Sequence, residues 1–184
     1  MKIILASNSP RRKELLEQAG VDFEVKSADV EEITTKSMPN EVVEELSLIK
    51  ARTIAANNPN RIVLAADTVV AYDGKILGKP KNEADAFRML KALSGNAHEV
   101  YTGVTIIDNN GDINTFSECT EVVMYNNSDE LINAYIATRE PMDKAGAYGI
   151  QGKGAVLIES IKGDYNNVVG LPLARVCREL NFKL

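Results

Sequence analysis

The first twenty residues change from a strand-type pattern to a helix-type pattern. Lys2–Ala6 is a short apolar run of strand type. Ser9 and Pro10 suit the N-cap and the first residue of a helix, because serine is a preferred cap and the fixed φ of proline fits the first turn. Gly20 is a natural helix end. The segment therefore predicts a strand, a polar turn and a helix.

The rest of the chain mixes helix-type and strand-type patterns with two turn signals, Asp73-Gly74 and Asn110-Gly111, each of which favours a hairpin. Apolar spacing and caps predict helices over Glu41–Ala56, from Asn82 to Gly95, over Leu131–Thr138 and over Leu171–Leu180. Apolar runs predict strands over Phe23–Val25, Arg61–Val70, Ile76–Leu77, Val100–Ile107, Ile113–Tyr125, Ala155–Ile158 and Asn167–Val169. Hairpins among helices predict an α/β fold with a mixed sheet, in one domain over residues 1–184.

Composition narrows the functional class. The chain has 184 residues and a formal net charge of −5, which argues against a dedicated nucleic-acid or anionic-membrane binder because those need a basic face. The two cysteines, Cys119 and Cys177, form no metal or redox spacing and indicate reduced, buried thiols. Apolar runs are strand-sized, too short for a signal peptide or a membrane span. We expect a soluble, cytoplasmic protein.

The segment Ser7–Arg12 is the first candidate for chemistry. A helix start favours an anion through its N–H groups and the macrodipole. Arg11 and Arg12 stand in that first turn, where the dipole disfavours cations unless an anion bridges them, and arginine forks match phosphate oxygens. Ordinary capping with surface arginines is the alternative. The P-loop pattern is absent from the chain.

Carboxylates are the second candidate. Asp67 lies inside an apolar strand run, and a buried charge must be paired, hydrogen-bonded or functional. It suits Mg²⁺ binding or acceptance of a proton from water, whereas the alternative is a turn cap. Glu31 and Glu32 lie in an acidic loop, where solvation is the default. His98 is the single histidine, so the sequence favours neither a histidine-centred triad nor a zinc site.

The third candidate is the glycine-rich segment Asp143–Gly152. Its glycines indicate special backbone angles or a close ligand approach, although a plain turn between strands has the same pattern. Gln151 offers both a donor and an acceptor, which suits reading a base edge. Lys50 and Lys79 are candidates for phosphate contacts, with surface solubility as the alternative.

Six segments, in order along the chain, resemble the Maf family of nucleoside triphosphate pyrophosphatases. They are Leu5–Arg12 with Glu14–Leu16, Ala66–Val69, Leu77–Pro80, Tyr101–Val104, Glu140–Gly152 and Gly163–Pro172. The resemblance implies hydrolysis of a nucleoside triphosphate between the α- and β-phosphates, with a divalent metal, Mg²⁺ or Mn²⁺. It also implies an inosine triphosphate pyrophosphatase-like fold with two lobes around a cleft, and a homodimer.

The resemblance also implies roles for individual residues. Asp67 is the proton acceptor and a metal ligand, and Glu32 is the better match to a second metal ligand, with Glu31 beside it. The phosphate-binding residues are Ser7, Arg11, Arg12, Lys50 and Lys79. The residues that set substrate specificity are Arg11, Thr68 and Gln151, and threonine and glutamine at the last two positions match the dTTP/UTP subgroup.

Two rival functions remain open at this point. One is a nucleotide-binding regulator of cell division with little catalysis, since family members have been tied to septum formation. The other is the same chemistry on modified pyrimidine triphosphates. A substrate panel with and without metal separates the three possibilities.

Overall fold

The computed structural model describes residues 2–27, Val30 and 33–182, and they form an α/β fold with a mixed sheet. The strands of this sheet are Ile3–Leu5 (β1), Phe23–Val25 (β2), Val63–Tyr72 (β3), Lys75–Leu77 (β4), Ala97–Ile107 (β5), Ile113–Met124 (β6) and Ile158–Lys162 (β7). The α-helices within the same residues are Pro10–Gln18 (α1), Pro39–Ala55 (α2), Glu83–Leu93 (α3), Asp129–Ala137 (α4), Tyr165–Val169 (α5) and Leu173–Glu179 (α6). Short 3₁₀ segments cover Glu140–Asp143, Ala145–Ala147 and Gly152–Leu157. Among the described helices, none is long and apolar enough to cross a membrane.

The sheet has parallel and antiparallel pairs, as predicted. Its strand order is β2-β1-β3-β5-β6-β7, and β4 pairs with β3. Strand β1 runs parallel to both β2 and β3, with Ile4 opposite Val63. The β3–β4 hairpin is antiparallel, with Val70 opposite Leu77, so the turn predicted at Asp73-Gly74 is confirmed. Strand β7 returns antiparallel to β6.

Contacts along the backbone divide the chain into two compact units. The first unit comprises Met1–Thr68, Thr102–Glu118 and Gly170–Leu184. The second unit comprises Val69–Tyr101 and Cys119–Val169.

The first unit is built on α2 and the central strands. Its buried cluster contains Ile4, Ala6, Ala51, Ile54, Val63, Ala65 and Ile107. Helix α2 comes very close to β5, because a Cβ atom on Gly103 would lie 2.3 Å from the carbonyl carbon of Val43. This close approach fixes the depth of α2, which carries Lys50.

The second unit packs α3, α4 and the glycine-rich segment around its own core. This core includes Val70, Ala86, Leu90, Leu93, Val100, Val122, Met124, Ile132, Tyr135, Ile136, Ala147, Tyr148 and Leu157. Asn82 caps α3 by accepting the N–H of Asp85 at 2.9 Å, as predicted. The core thus holds part of the glycine-rich segment as buried structure.

Two predicted strands are wrong. Asn167–Val169 lies in α5, because the Asp164 carboxylate accepts the N–H of Asn166 at the start of that turn, at 2.8 Å. Ala155–Ile158 is a 3₁₀ segment up to Leu157, and β7 begins only at Ile158. Apolar runs this short do not distinguish a strand from a helical turn.

The thiol prediction is wrong for one cysteine. Cys119 is exposed on β6, whereas Cys177 is half-buried on α6, where burial raises the pKa of its thiol.

Candidate active site

Arg12 connects α1 to three other parts of the first unit, which are the Ser7 turn, β3 and Gly170. Its Nε donates to the carbonyl of Gly170 at 2.8 Å, and its Nη1 donates to the carbonyl of Ala66 at 2.8 Å and to Ser7 Oγ at 3.2 Å. Its Nη2 donates to Thr68 Oγ1 at 3.0 Å. A guanidinium has five N–H donors, and most of them are used here by the protein itself. Arg12 therefore organises this group of residues.

Ser7 is placed to donate a hydrogen bond. Its Oγ, in a side chain that is 9% exposed, accepts the N–H of Ser9 and an N–H of Arg12, both at 3.2 Å. A hydroxyl that accepts twice still has its own hydrogen to give. Ser9 is the N-cap residue of α1 but makes no side-chain capping bond, and Pro10 follows as predicted. The start of α1 and the Ser7 hydroxyl thus offer positive charge and a donor to an anion.

Asp67 and Lys50 form a close ion pair. The Lys50 Nζ donates to Asp67 Oδ1 at 2.6 Å, and the two side chains are only 14% and 11% exposed. Strand β3 is buried along Val63–Asp67, so the carboxylate lies in a strand and not in a turn. The pair compensates a charge that would be costly to bury alone.

Thr68 is held by hydrogen bonds on its hydroxyl. Its Oγ1 accepts from Arg12 and lies 2.9 Å from Thr102 Oγ1. Because Arg12 also contacts Ala66 and Gly170, the geometry of Thr68 depends on the same guanidinium.

The second unit holds the glycine-rich segment and the loop of Lys79. The N–H of Gly146 donates to the carbonyl of Gly78 at 3.0 Å, directly before the exposed Lys79. Gly146 has a φ of 67°, and a Cβ atom there would lie 2.9 Å from a methyl of Val70. Glycine is therefore required at this position for both conformation and space. The half-buried Gln151 is the N-cap residue of the Gly152–Leu157 segment but makes no side-chain capping bond.

His98 serves the architecture of this unit. It is 3% exposed, and its Nε2 lies 2.7 Å from the hydroxyl of Tyr148. Burial lowers the pKa of His98 to about 4, so the ring is neutral near pH 7. His98 therefore packs and hydrogen-bonds inside the core of the second unit.

Asp67 is the predicted metal ligand that lies in the described part of the chain. Among residues 2–27, 30 and 33–182, no group of three or more His, Cys, Asp and Glu side chains could hold a metal ion. Asp67 supplies one hard carboxylate next to Lys50. Mg²⁺ usually keeps waters and takes one or two carboxylates together with substrate phosphates. Asp67 is a carboxylate of the kind that fits such an ion.

The structure groups most of the predicted residues of the first unit. Ser7, Arg12, Lys50, Asp67 and Thr68 belong to two hydrogen-bonded sets joined through consecutive residues of β3, and Arg11 is half-buried on α1. The predicted metal ligand Glu32 and its neighbour Glu31 lie outside the described residues.

Sequence reasoning missed two partners of Arg12 and Thr68. They are the Gly170 carbonyl and the Thr102 hydroxyl. Both residues belong to segments that resemble the Maf family, but a backbone carbonyl carries no signal in the sequence. Thr102 could have been found only from its place in that segment.

Comparison with known proteins gives a consistent result. The model of the family described as Maf-like protein matches residues 2–182. A dTTP/UTP pyrophosphatase of Bacillus cereus is 57% identical over 180 residues, which cover 97% of this chain and 94% of that protein. A dTTP/UTP pyrophosphatase of Bacillus mycoides is 56% identical over the same coverage.

One solved structure supports the fold. A HAM1 protein from Coxiella burnetii aligns with a TM-score of 0.56 and 18% identity, covering 98% of each chain. At that identity the likeness shows a shared fold and nothing further, and it agrees with the predicted α/β class. The full-length family match and the relatives above 50% identity are decisive for kinship: this chain belongs to the Maf family.

Proposed function

We propose that the protein hydrolyses dTTP and UTP to the nucleoside monophosphate and pyrophosphate. Relatives at 56–57% identity, aligned over nearly the whole chain, carry the name dTTP/UTP pyrophosphatase. The observation that carries the proposal is the ion pair of Lys50 with the buried Asp67. Asp67 comes directly after Ala66 in β3, and the Ala66 carbonyl accepts a hydrogen bond from Arg12. Such a carboxylate beside phosphate-binding groups suits attack of water on a phosphoanhydride.

Phosphate binding begins at the start of α1. The Ser7 hydroxyl donates its hydrogen to a phosphate oxygen. The positive end of α1 and the charge of Arg11 add charge stabilisation. Arg12 keeps Ser7 in place and adds its positive charge to this end of α1. Lys50 and Lys79 contribute further positive charge. The effect is positioning and stabilisation of developing charge.

The chemical step needs a proton acceptor for water. Asp67 accepts a proton from the attacking water while the water oxygen bonds to the α-phosphorus. The bond from the α-phosphorus to the α–β bridging oxygen breaks, and pyrophosphate leaves. Lys50 fixes the orientation of the Asp67 carboxylate through the contact at 2.6 Å. A divalent metal, when bound by Asp67 and Glu32, supplies neutralisation of phosphate charge.

Selection of the base is assigned to Arg11, Thr68 and Gln151. Thr68 has its hydroxyl oriented by Arg12 and Thr102, which restricts what it can offer to a ligand. Gln151 carries a side-chain amide with both donor and acceptor capacity.

The test is pyrophosphate release by the full chain from dTTP, UTP, CTP, dATP, GTP and 7-methyl-GTP, with Mg²⁺, Mn²⁺ or EDTA. We expect metal-dependent turnover of dTTP and UTP above the others. Asp67→Asn should lower kcat by about a hundredfold or more, the range for loss of a general base. Asp73→Asn, in the exposed β3–β4 turn, is the matched control.

Two results would count against the proposal. Nucleotide binding without turnover in the wild type would favour a regulator. Wild-type rates in Asp67→Asn, with an unchanged circular dichroism spectrum, would show that another group accepts the proton.

The proposal includes a cytoplasmic location and a homodimer. The compartment is supported by cysteine usage, because neither cysteine takes part in a disulfide. The homodimer rests on the family resemblance, and light scattering of the purified chain tests it.

A further inference from the structure

Two side chains of the second unit hold the glycine-rich loop from one side. The hydroxyl of Tyr135, on α4, donates to Glu140 Oε1 at 3.0 Å and accepts the N–H of Gly149 at 3.1 Å. The Glu140 carboxylate accepts the N–H groups of Lys153 and Gly154, both at 3.1 Å. The loop from residue 149 to 154 is thus fastened at both ends to one pair of side chains.

Gly152 and Gly154 are the positions where the loop backbone passes closest to the side chains of Glu140 and Tyr135. A Cβ atom on Gly152, whose φ is 64°, would lie 3.0 Å from Glu140 Oε2. A Cβ atom on Gly154 would lie 2.1 Å from the carbonyl oxygen of Gly149 and 2.8 Å from the Tyr135 hydroxyl. Larger residues would push the loop off the Tyr135–Glu140 pair.

The protonation states of Glu140 and Tyr135 strengthen their hydrogen bonds to the loop. Burial alone would raise the pKa of Glu140, but the N–H groups of Lys153 and Gly154 and the Tyr135 hydroxyl lower it below the usual value. Burial raises the pKa of Tyr135, so its hydroxyl keeps the hydrogen that it donates. Glu140 is therefore ionised near neutral pH, and hydrogen bonds to a carboxylate are stronger than those between neutral groups.

Lys144 holds the same loop from another direction. Its Nζ donates to the Asp143 carboxylate at 2.7 Å and to the backbone carbonyl of Glu140. A Cβ atom on Gly149 would lie 2.8 Å from the Lys144 Cε. The amine thus bonds within the protein, and its stem packs on the loop.

Gln151 lies in the middle of the fastened segment. The backbone is fixed two residues before it and two residues after it, while its own side chain makes no capping bond. We propose that Tyr135 and Glu140 are positioning residues that hold Gln151 in the orientation that selects the base. The inference rests on the proposed function, because it needs Gln151 to contact the substrate.

The test compares Tyr135→Phe and Glu140→Gln with the wild type. Tyr135→Phe removes the hydroxyl and keeps the ring in the core, and Glu140→Gln keeps the size and removes the charge. We expect KM for dTTP and UTP to rise about tenfold, with kcat changed less than threefold, and the preference over dATP and GTP to fall. The control is Glu159→Gln, an exposed carboxylate on β7.

A double-mutant cycle separates positioning from plain stability. If the pair acts through Gln151, Glu140→Gln combined with Gln151→Ala should lose no more selectivity than Gln151→Ala alone. A merely structural role would give additive losses, with thermal midpoints that fall in parallel. Additive losses, or unchanged KM and selectivity in both single variants, would overturn the inference and leave the pyrophosphatase proposal intact.

Binding measurements keep the inference testable without turnover. If the wild type hydrolyses nothing, equilibrium binding of dTTP and dATP in EDTA gives the same selectivity ratio. A loss of that ratio in the variants would support positioning of Gln151 even though the enzymatic proposal had failed. A wild type that does not prefer dTTP in either assay would overturn the inference.

Discussion

At the scale of single residues, the partners of Arg12 show what the sequence could not reveal. The sequence presents Arg11 and Arg12 as equivalent cations in the first turn of a helix. In the structure, Arg12 bonds to the carbonyls of Ala66 and Gly170 and to two hydroxyls. Gly170 lies 158 residues further along the chain, so no local pattern could reveal it as an acceptor.

These contacts predict that replacing Arg12 lowers the stability of the protein. A lysine at position 12 keeps the charge but provides three donors from one point instead of a planar fork. Arg12→Lys should lower the free energy of unfolding by about 2–3 kcal/mol, since several hydrogen bonds from a charged group are lost. Arg52→Lys, the same change of chemistry at an exposed arginine of α2, is the matched control and should lose less. Equal losses in urea denaturation would contradict the organising role of Arg12.

At the scale of secondary-structure elements, one glycine sets the distance between a helix and a strand. A Cβ atom on Gly103 of β5 would lie 2.3 Å from the carbonyl oxygen of Val43 and 2.6 Å from the nitrogen of Glu44. These are backbone atoms of α2, which cannot turn aside as a flexible side chain could. The position of α2, and with it that of Lys50, depends on this contact.

Gly103→Ala should therefore disturb both stability and the ion pair. The added methyl must push α2 away from β5, and overpacking of this kind costs about 3 kcal/mol. Turnover of dTTP should fall as well, because Lys50 moves relative to Asp67. Thermal unfolding and pyrophosphate release measure the two effects.

Gly78→Ala is the control for stability, since a Cβ atom there has no neighbour within 4 Å. A similar loss of stability in both variants would contradict the explanation.

The elements also show how far the sequence can predict this fold. Patterns with strong local signals were correct: the caps at Ser9 and Asn82, the hairpin at Asp73-Gly74 and the mixed sheet. The strands predicted between residues 152 and 169 were wrong, because partners outside this segment, as well as the local Asp164–Asn166 bond, set its conformation. Glu140 accepts the N–H groups of Lys153 and Gly154, and the Asn167 amide donates to the carbonyl of Val100.

The candidate site also has features that the sequence predicts and features that it does not. The residues to which we assign phosphate and water chemistry were predicted from their side-chain types. The structure joins Ser7 and Thr68 through Arg12, and it pairs Lys50 with Asp67. The partners that orient them were not predicted, because a carbonyl such as that of Ala66 is present at every residue. The sequence analysis assigned no role to Tyr135, and only its hydroxyl contacts reveal its relation to the glycine-rich loop.

At the scale of the whole molecule, three strands pass from one compact unit into the other. The boundary falls after Thr68 in β3, after Tyr101 in β5 and after Glu118 in β6. These are the longest described strands, and they are consecutive neighbours in the sheet. If one unit unfolded alone, β3, β5 and β6 would each lose part of their length.

We therefore predict that the chain unfolds in one cooperative transition. The residues themselves supply a probe for each unit: all six tyrosines lie in the second unit, there is no tryptophan, and Cys177 lies in the first unit. In a Cys119→Ser background, tyrosine fluorescence reports the second unit and labelling of Cys177 reports the first, while far-ultraviolet circular dichroism reports both. The three urea curves should coincide, as expected for a two-state transition. A tyrosine midpoint clearly separated from the Cys177 midpoint would mean that the shared strands do not couple the unfolding of the units. The free energies of unfolding of Arg12→Lys and Gly103→Ala would then have to be measured from the Cys177 signal, which reports the first unit.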